Sequence, residues 1–471
     1  MNDIKNQDLD KGEDIFYIES LVNKARKAMK SIEDLNQSAI NRLCQAVGWS
    51  IAKNESFNFL AKMSIEESGM GDFQTRYNKR FKIYGVLRDI LNERSIGIIE
   101  ELPEKGIVKY GKPAGVIAAI VPCTNPVLTP PVTALFSLKC KDATIFSPHP
   151  RTKKSTFEAV NLMRKALIKE NISPDLLQCI PEPTISLTNI LMKKSDLVMA
   201  TGGKKLVESA YSSGTPAYGV GAGNSTVIID ETANIKEAAR FTCLSKTFDN
   251  GTGCSSDGNV IVDHSIYSKF LMQLEKEGGY LASSKEKDLL KSKIWDCKGI
   301  RTPNTIAIPA YKLAQIAGFA IPEDKKFIII RQSLIGKEHY FSREKLAPVL
   351  AIYQYSGFNS ALKMVKNIFN DSGGIGHSCA IYSFNEEHIN QLAQTADVSR
   401  IMVRQPQSLS NAGSFTNGMP MTTSLGCGTW GGNITNENIN LRHFMNITWV
   451  SQPIQENKPS DEYLFGEFIN T

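Results

Sequence analysis

The spacing of hydrophobic residues changes character along this chain. In roughly the first hundred residues, apolar positions recur at the three- and four-residue intervals typical of amphipathic helices. A further helix is predicted to begin at Asn54 and to end near Gly69. We expect these helices to form a supporting layer without chemistry of their own. The positions that carry the spacing are Ile15, Ile18, Val22, Ala25, Met29, Leu35, Leu43, Val47 and Ile51.

From about residue 105 the pattern alternates between short β-branched runs and helical stretches. Strands alternating with helices of ten to fifteen residues predict an α/β fold with parallel sheets and helices on both faces. A glycine-dense stretch, 213–224, separates two such regions and is expected to be a functional loop or a hinge. The predicted strands are 107–110, 115–121, 143–147, 176–180, 196–200, 259–262, 327–330, 349–355 and 400–403, and the predicted helices are 127–138, 155–167, 235–247, 265–275 and 359–370.

Composition narrows the class of protein. The 471 residues carry 54 basic and 48 acidic side chains, a net charge of +6 without a dense basic block, so a nucleic-acid partner is not expected. The longest apolar run, 116–121, is far too short to cross a membrane. Nine cysteines show no spacing typical of zinc ligands, so we expect no metal site and reduced thiols in a cytoplasmic protein.

One cysteine stands in an unusual setting. Cys254 follows Gly251-Thr-Gly253 and precedes two serines, and a strand-like run comes next. A thiol on such an accessible loop is a candidate nucleophile. The backbone N–H of the same residue could also point at a bound carbonyl. The alternative is that Cys254 only fills space in the core, which is the usual role of an unpaired cysteine.

Other candidates follow the ends of predicted strands. Asn125 comes directly after an apolar strand, where its side-chain amide could donate to a developing oxyanion or could simply form an Asn-Pro turn. Ser147-Pro-His-Pro-Arg151 ends the next strand and could line a nucleotide groove. Thr201-Gly-Gly203 precedes a helix whose N–H groups could bind a phosphate, although no P-loop or GxGxxG pattern is present.

Taken together, these motifs resemble those of the aldehyde dehydrogenase superfamily, specifically its CoA-acylating branch, over about residues 105–450. That branch includes acetaldehyde, succinate-semialdehyde and sulfoacetaldehyde dehydrogenases. The ordered motifs are Val121-Pro-Cys-Thr-Asn-Pro126, Phe146-Ser-Pro-His-Pro-Arg151, Ala200-Thr-Gly-Gly203, Tyr218-Gly-Val-Gly-Ala-Gly-Asn224, Phe248-Asp-Asn-Gly-Thr-Gly-Cys-Ser-Ser256, Glu344-Lys-Leu-Ala-Pro348, Gly376-His377 and Leu425-Gly-Cys-Gly-Thr-Trp430.

The resemblance implies roles for individual residues. Cys254 would attack an aldehyde, and Asn125 together with the Cys254 N–H would hold the oxyanion. Hydride would pass to NAD or NADP, leaving a thioester on the sulfur, and coenzyme A would be the second substrate. Glu344 would hold the nicotinamide ribose. The positions expected to contact the cofactor are Thr124, Ser147, His149, Arg151, Thr201, Gly202, Gly203, Gly221 and Glu344.

The absence of one glutamate favours the acylating branch. Hydrolytic members carry a glutamate that activates water, and here Val220, or Gly219 if the alignment slips by one, stands in its place. Neither side chain can act as a general base, so the thioester should persist until a CoA thiolate attacks it. The alternatives are a hydrolytic enzyme with its base supplied elsewhere, and a catalytically silent relative that serves as a scaffold.

The sequence also offers candidates for the substrate contact and for the assembly of the chain. Arg404, or Arg400, is a candidate partner for an anionic aldehyde such as sulfoacetaldehyde or succinate semialdehyde; otherwise it is a surface arginine and the substrate is acetaldehyde. The expected organisation is two Rossmann-type doubly wound domains, 1–228 for the cofactor and 229–423 for catalysis, and a C-terminal segment, 424–471. A small β arm near 105–113 would join copies of the chain into a homodimer or homotetramer.

Overall fold

The computed structural model describes residues 2–470, with side chains from 12 to 469, so the predicted domain ends at Met1 and Thr471 lie outside the described residues. The first hundred residues are helical, as predicted. Asn36 caps the second helix by accepting from the Ala39 N–H, and Gly69 ends the third with a left-handed φ of 68°. The helices are α1 (Asn2–Lys30), α2 (Gln37–Ala52), α3 (Asn54–Ser68), α4 (Phe73–Asn78) and α5 (Phe81–Leu91).

Twelve of the strands in the described residues form two parallel sheets, and three form a separate antiparallel sheet. This confirms the predicted α/β fold class. The strands are β1 (Gly97–Leu102), β2 (Ile107–Pro113), β3 (Val116–Val121), β4 (Ala143–Pro148), β5 (Leu177–Cys179), β6 (Leu197–Thr201), β7 (Ala217–Val220), β8 (Thr226–Ile229), β9 (Asn259–Asp263), β10 (Gly279–Leu281), β11 (Phe327–Arg331), β12 (Val349–Tyr355), β13 (Cys379–Tyr382), β14 (Ile401–Val403) and β15 (Met445–Ser451).

The remaining helices connect and cover these strands. They are α6 (Thr129–Lys139), α7 (Lys153–Lys169), α8 (Ile185–Lys194), α9 (Lys204–Tyr211), α10 (Ile235–Thr247), α11 (Tyr267–Lys276), α12 (Ser284–Ile294), α13 (Ala310–Ala317), α14 (Phe358–Ser372), α15 (Glu386–Thr395), α16 (Gln407–Ser410) and α17 (Asp461–Phe465). Among the helices that the structure describes, none combines the length and apolar character that a bilayer crossing requires.

The first parallel sheet has the strand order β5-β4-β3-β6-β7. From β3 the chain proceeds to β4 and β5 on one side, then returns to β6 and β7 on the other. The order therefore reverses between β3 and β6, and ligands of open α/β sheets bind beyond the carboxyl ends of the strands at such a point. Pro122–Asn125 and Gly202–Gly203 follow these two strands directly.

The second parallel sheet has the order β10-β11-β12-β9-β8-β13-β14. Alternate residues along its strands enter different hydrophobic clusters: Ile228 and Ile261 belong to one cluster, and Val227 and Val260 belong to the other. Both faces are thus covered by helices, which explains why these strands read as continuous apolar runs.

The third sheet is a β arm with the order β1-β2-β15. The predicted strand near 107–110 is β2, while β1 was missed because its sequence is only partly apolar. β15 brings the C-terminal segment back to β2, pairing Met445 with Pro113, and Phe444 packs on Phe136.

The glycine-dense stretch 213–224 contains β7 and the connection from the first parallel sheet to the second. The predicted division at 228/229 falls inside β8, so the sheets separate a few residues earlier, between Val220 and Thr226.

Candidate active site

A cavity of about 1160 Å³ is lined by residues from both parallel-sheet regions. Its wall includes the segments that follow β3, β4 and β6, and the loop that leads into β9. Ten of the predicted site residues lie on this wall, which brings the candidate nucleophile and the candidate cofactor contacts into one space. They are Thr124, Asn125, Ser147, His149, Thr201, Gly202, Gly203, Gly221, Cys254 and Glu344.

Cys254 is half-buried on the loop between α10 and β9. The Ser225 hydroxyl donates to the Cys254 carbonyl at 3.2 Å, which fixes the backbone at the candidate nucleophile. Gly223 passes so close that a Cβ there would lie 2.0 Å from the same carbonyl oxygen. Glycine is therefore required at 223 by close backbone approach, and the position of Cys254 depends on it.

Burial raises the pKa of the Cys254 thiol to about 12, and the charges of Glu344 and Cys427 add to that rise. Ser255 and the Arg400 guanidinium act in the opposite direction. The thiol is therefore protonated at neutral pH, and forming the nucleophilic thiolate requires loss of that proton.

Asn125 is half-buried, and its backbone carbonyl accepts from the Thr129 N–H at the start of α6. Its side-chain Oδ1 accepts a hydrogen bond of 2.7 Å from Lys79 Nζ. Among the residues that the structure describes, no acceptor is bound to the Asn125 Nδ2 group, and Asn125 lines the cavity. A donor of this kind suits a carbonyl oxygen that gains negative charge during reaction.

Glu344 is the only carboxylate among the described residues of the cavity wall. Burial raises its pKa to about 7, although the Gly223 N–H and the cations Lys246, Arg301 and Lys345 favour the charged form. Lys246 in turn has its pKa lowered to about 8 by burial. Glu344 thus exchanges its proton near neutral pH.

The other end of the cavity has the features of a nucleotide site. Gly203 precedes α9, no side chain caps that helix, and a Cβ on Gly203 would meet nothing within 4 Å, so the helix N-terminus is open. Thr201 Oγ1 lies 3.1 Å from Ser424 Oγ, and Ser147 Oγ lies 2.8 Å from Thr188 Oγ1. Open N–H groups at a helix start fit the pyrophosphate of a dinucleotide.

The sequence profile of the aldehyde dehydrogenase family matches residues 14–285. The chain is 43% identical over 453 residues, 95% of this chain and 93% of the relative, to a sulfoacetaldehyde dehydrogenase of Acholeplasma sp.. It is 42% identical to a sulfoacetaldehyde dehydrogenase (acylating) of Bilophila wadsworthia, covering 94% of this chain and 97% of that one. This chain belongs to the aldehyde dehydrogenase family.

A solved structure of the same family has the same fold as this chain. The crystal structure of an acetylating aldehyde dehydrogenase from Geobacillus thermoglucosidasius superimposes with a TM-score of 0.91 at 34% identity, covering 96% of this chain and 99% of that chain. The resemblance predicted from the sequence motifs, to acylating aldehyde dehydrogenases, is therefore confirmed.

Three predicted arginines are not among the residues that line the cavity. The Arg404 guanidinium donates to the Ser383 carbonyl at 2.6 Å and lies over the Phe384 ring, and its expected contact with a substrate tail stays a prediction. Arg151 lies at the end of the loop after β4 with its guanidinium near Gly69. Arg400 is buried and donates to the carbonyls of His377, Gly426 and Asn436, although its charge still acts on Cys254.

The N-terminal helices were expected to be a supporting layer, and the structure shows that they also reach the candidate active site. Residues of α4, of α5 and of the turn between them line the cavity, including Lys79 and Lys82. The segment Gln74–Lys82 reads as an ordinary charged helical surface, so its sequence pattern gives no local signal of this role.

A metal site was not predicted, and one described group has suitable ligand atoms. Asp230, Glu231 and His388 place one such atom each within 4.8 Å of the others. The Asp230 carboxylate already accepts from Ser383, Thr232 and His388. A carboxylate with these partners is satisfied as a structural hydrogen-bond acceptor.

Proposed function

We propose that this aldehyde dehydrogenase oxidises a short aldehyde to its acyl-CoA with NAD or NADP, through a thioester on Cys254. The observation that carries the proposal is the shared cavity wall: Cys254 and Asn125 face one space. Val220, which stands where the hydrolytic base is expected, is 3% exposed at the end of β7 and has no proton acceptor in its side chain.

The first half-reaction follows from these groups. Cys254 Sγ bonds to the aldehyde carbon as the thiol proton passes to solvent, and the carbonyl oxygen takes the negative charge. Asn125 Nδ2 and the Cys254 N–H donate to that oxygen. Loss of hydride from the same carbon then restores the carbonyl as a thioester on Cys254. The nicotinamide, when bound, supplies the hydride acceptor.

In the second half-reaction the CoA thiolate attacks the thioester carbonyl, and the same two donors hold the oxygen. The C–S bond to Cys254 then breaks and the acyl group leaves on CoA. One thioester replaces another, so the free-energy change of this step is small and the reaction should run in both directions. Water competes poorly because no carboxylate stands at position 220.

The dinucleotide would lie along the carboxyl ends of β4 and β6. The open N-terminus of α9 at Gly203 would bind the pyrophosphate, and Lys205 on the same wall adds positive charge. Glu344, near Cys254, would accept from the nicotinamide ribose. The described wall offers no feature that favours NAD over NADP, so we propose either cofactor.

We propose an anionic aldehyde, sulfoacetaldehyde first and succinate semialdehyde second, as the substrate; acetaldehyde is the alternative. The described wall carries three lysines, Lys79, Lys82 and Lys205, against one carboxylate. Lys82 donates to the carbonyls of Ala412 and Gly413 and to Met421 Sδ, and among the described residues no carboxylate lies within ion-pair distance of it. A half-buried cation whose hydrogen-bond acceptors are neutral suits a sulfonate.

We also propose that the enzyme is a homodimer or homotetramer assembled through the β arm. β15 forms one edge of that sheet, and Ile447, Trp449 and Val450 on it are 41%, 57% and 41% exposed. An apolar edge strand is a surface that a second chain can cover. Light scattering of the purified protein measures the subunit number.

A substrate panel tests the proposed function. Sulfoacetaldehyde, succinate semialdehyde and acetaldehyde are each assayed with NAD and NADP, with and without CoA. Acyl-CoA should form only with CoA, and Cys254→Ala should abolish NADH or NADPH formation. Reduced cofactor appearing at the full rate without CoA would favour the hydrolytic alternative, and an active Cys254→Ala variant would contradict the nucleophile. A preference for acetaldehyde would remove the anionic substrate.

A further inference from the structure

A single lysine joins Asn125, one of the two proposed oxyanion donors, to Asp249 in the loop that carries Cys254. Lys79 caps the C-terminus of α4, and its Nζ donates to Asn125 Oδ1 and to Asp249 Oδ2, both at 2.7 Å. The Lys79 side chain is 10% exposed and the Asp249 side chain is fully buried. Asp249 lies five residues before Cys254 in the same loop.

The chemistry of an ammonium group fixes the orientation of the Asn125 amide. Lysine has three donors and no acceptor, so the atom that faces Lys79 must be Oδ1. The Nδ2 group then faces away from the lysine and is available to donate. Without this contact, the two ends of the amide could exchange places, and Oδ1 would meet a negatively charged oxygen.

Asp249 is itself held rigidly, which makes it an anchor for Lys79. The Arg76 guanidinium donates to both carboxylate oxygens at 3.0–3.2 Å, and the Asp72 N–H donates to Oδ1 at 2.9 Å. The side chains of Arg76 and Asp249 are 1% and 0% exposed. Asp249 has a left-handed φ of 50°, which a non-glycine residue adopts only when its surroundings compel it.

We propose that Lys79 is a positioning residue for aldehyde oxidation. It holds the Asn125 amide with Nδ2 toward the substrate oxygen, and it ties that donor through Asp249 to the loop of Cys254. Because it acts through Asn125, it should stabilise the transition state without strengthening the binding of aldehyde. The inference rests on the proposed roles of Cys254 and Asn125.

A double-mutant cycle tests the proposal. Lys79→Met removes the donor and keeps the length of the side chain, while Asp249 stays paired with Arg76. In the native background kcat should fall about 10- to 100-fold, the range expected when an oxyanion donor is partly lost, with KM changed less than about threefold. In the Asn125→Ala background the same change should cost less than about threefold.

A second readout separates positioning from a direct electrostatic effect. If Lys79 acted on Cys254 through its charge, Lys79→Met would shift the pH dependence of Cys254 alkylation by iodoacetamide, followed by peptide mass spectrometry. The Lys79 charge acts on Cys254 only weakly and is not among the causes of the raised Cys254 pKa, so we expect at most a small shift in that pH dependence. Lys79→Gln is taken through the same cycle in case the Met variant folds poorly, and Lys62→Met, an exposed lysine on α3, is the matched control.

The proposal would be overturned by equal losses in both backgrounds or by a Lys79→Met variant within twofold of the native kcat. An alkylation profile shifted far enough to account for the loss of kcat would also overturn it. If the native protein makes acyl-CoA but the losses of kcat from the two substitutions are additive, this inference alone is overturned. A native chain that oxidises no aldehyde would contradict the proposed function and, with it, this inference.

Discussion

Replacing Gly223 by alanine introduces a methyl group into a space that the Cys254 backbone already occupies. The new Cβ would lie 2.0 Å from the Cys254 carbonyl oxygen, 2.8 Å from its carbonyl carbon and 3.2 Å from its Cβ. The nearest two atoms belong to the main chain, so no side-chain rotation can relieve the contact. The loop that carries the proposed nucleophile must move.

The contact distance sets the size of that movement. Cβ atoms essentially never approach another heavy atom closer than 3.0 Å, so a 2.0 Å contact requires a displacement of about 1 Å. Misplacing a reacting group by about 1 Å costs about 100-fold in rate. Overpacking of this kind destabilises a protein by only about 1–3 kcal/mol, so the variant should remain folded.

The assay is the rate of reduced-cofactor formation in a single turnover, which reports thioester formation on Cys254. We expect that rate to fall about 100-fold in Gly223→Ala, with the circular dichroism spectrum unchanged. Gly418→Ala is the matched control, since a Cβ at 418 meets nothing within 4 Å. A Gly223→Ala variant that forms the thioester within twofold of the native rate would refute the link between this contact and the position of the sulfur.

Three further expectations follow from the site. Lys82→Met should lower kcat/KM for sulfoacetaldehyde about tenfold more than for acetaldehyde, because a charge-assisted contact to the sulfonate is lost; steady-state kinetics on both aldehydes measures this. Because burial raises the pKa of Cys254 to about 12, its alkylation rate should rise through pH 10 without a plateau, as followed by peptide mass spectrometry. The pKa of Glu344 is raised to about 7, so the folded protein holds the carboxyl proton of Glu344 more tightly than the unfolded chain does. The contribution of Glu344 to stability therefore falls as pH rises from about 4.3 to about 7. The urea midpoint of Glu344→Gln relative to the native chain should therefore increase across that interval.

Each of these has an outcome that contradicts it. Equal losses on both aldehydes in Lys82→Met, with Lys62→Met as the charge control, would remove the anion contact. A plateau in Cys254 alkylation below pH 9 would show a thiol of nearly ordinary acidity. A midpoint difference that does not vary with pH would show that Glu344 does not exchange its proton in this range.

The sheets were predictable because their strands are buried on both faces. β3 is a continuous run of aliphatic residues and β12 begins with four of them, and such runs between glycines and prolines are typical of parallel strands. β10 is three residues long and β7 lies inside the glycine-dense stretch, so neither has enough apolar residues to stand out. These short strands are stabilised by their neighbours in the sheet more than by their own composition.

The site was predictable where it lies on loops at strand ends. Recognisable strands or helices flank Asn125, Gly203 and Cys254 in the sequence. The sheet topology brings the ends of those elements together. Lys79 was missed because its partner Asp249 is 170 residues away, and only tertiary packing brings them together. The contacts of Arg404 were missed for a related reason: the Ser383 carbonyl and the Phe384 ring, both distant in sequence, hold its guanidinium.

The ion pair between Arg76 and Asp249 joins the N-terminal helices to the loop of the candidate nucleophile, and both side chains are almost completely buried. A chimera that grafts residues 226–423 onto the N-terminal half of a family member without an arginine at position 76 would preserve the sheet but leave the buried Asp249 carboxylate without its guanidinium. An unmatched buried charge of this kind costs about 3–5 kcal/mol. The N-terminal helices and the second sheet of this enzyme therefore form a matched pair, and Arg76 and Asp249 should be exchanged together or not at all.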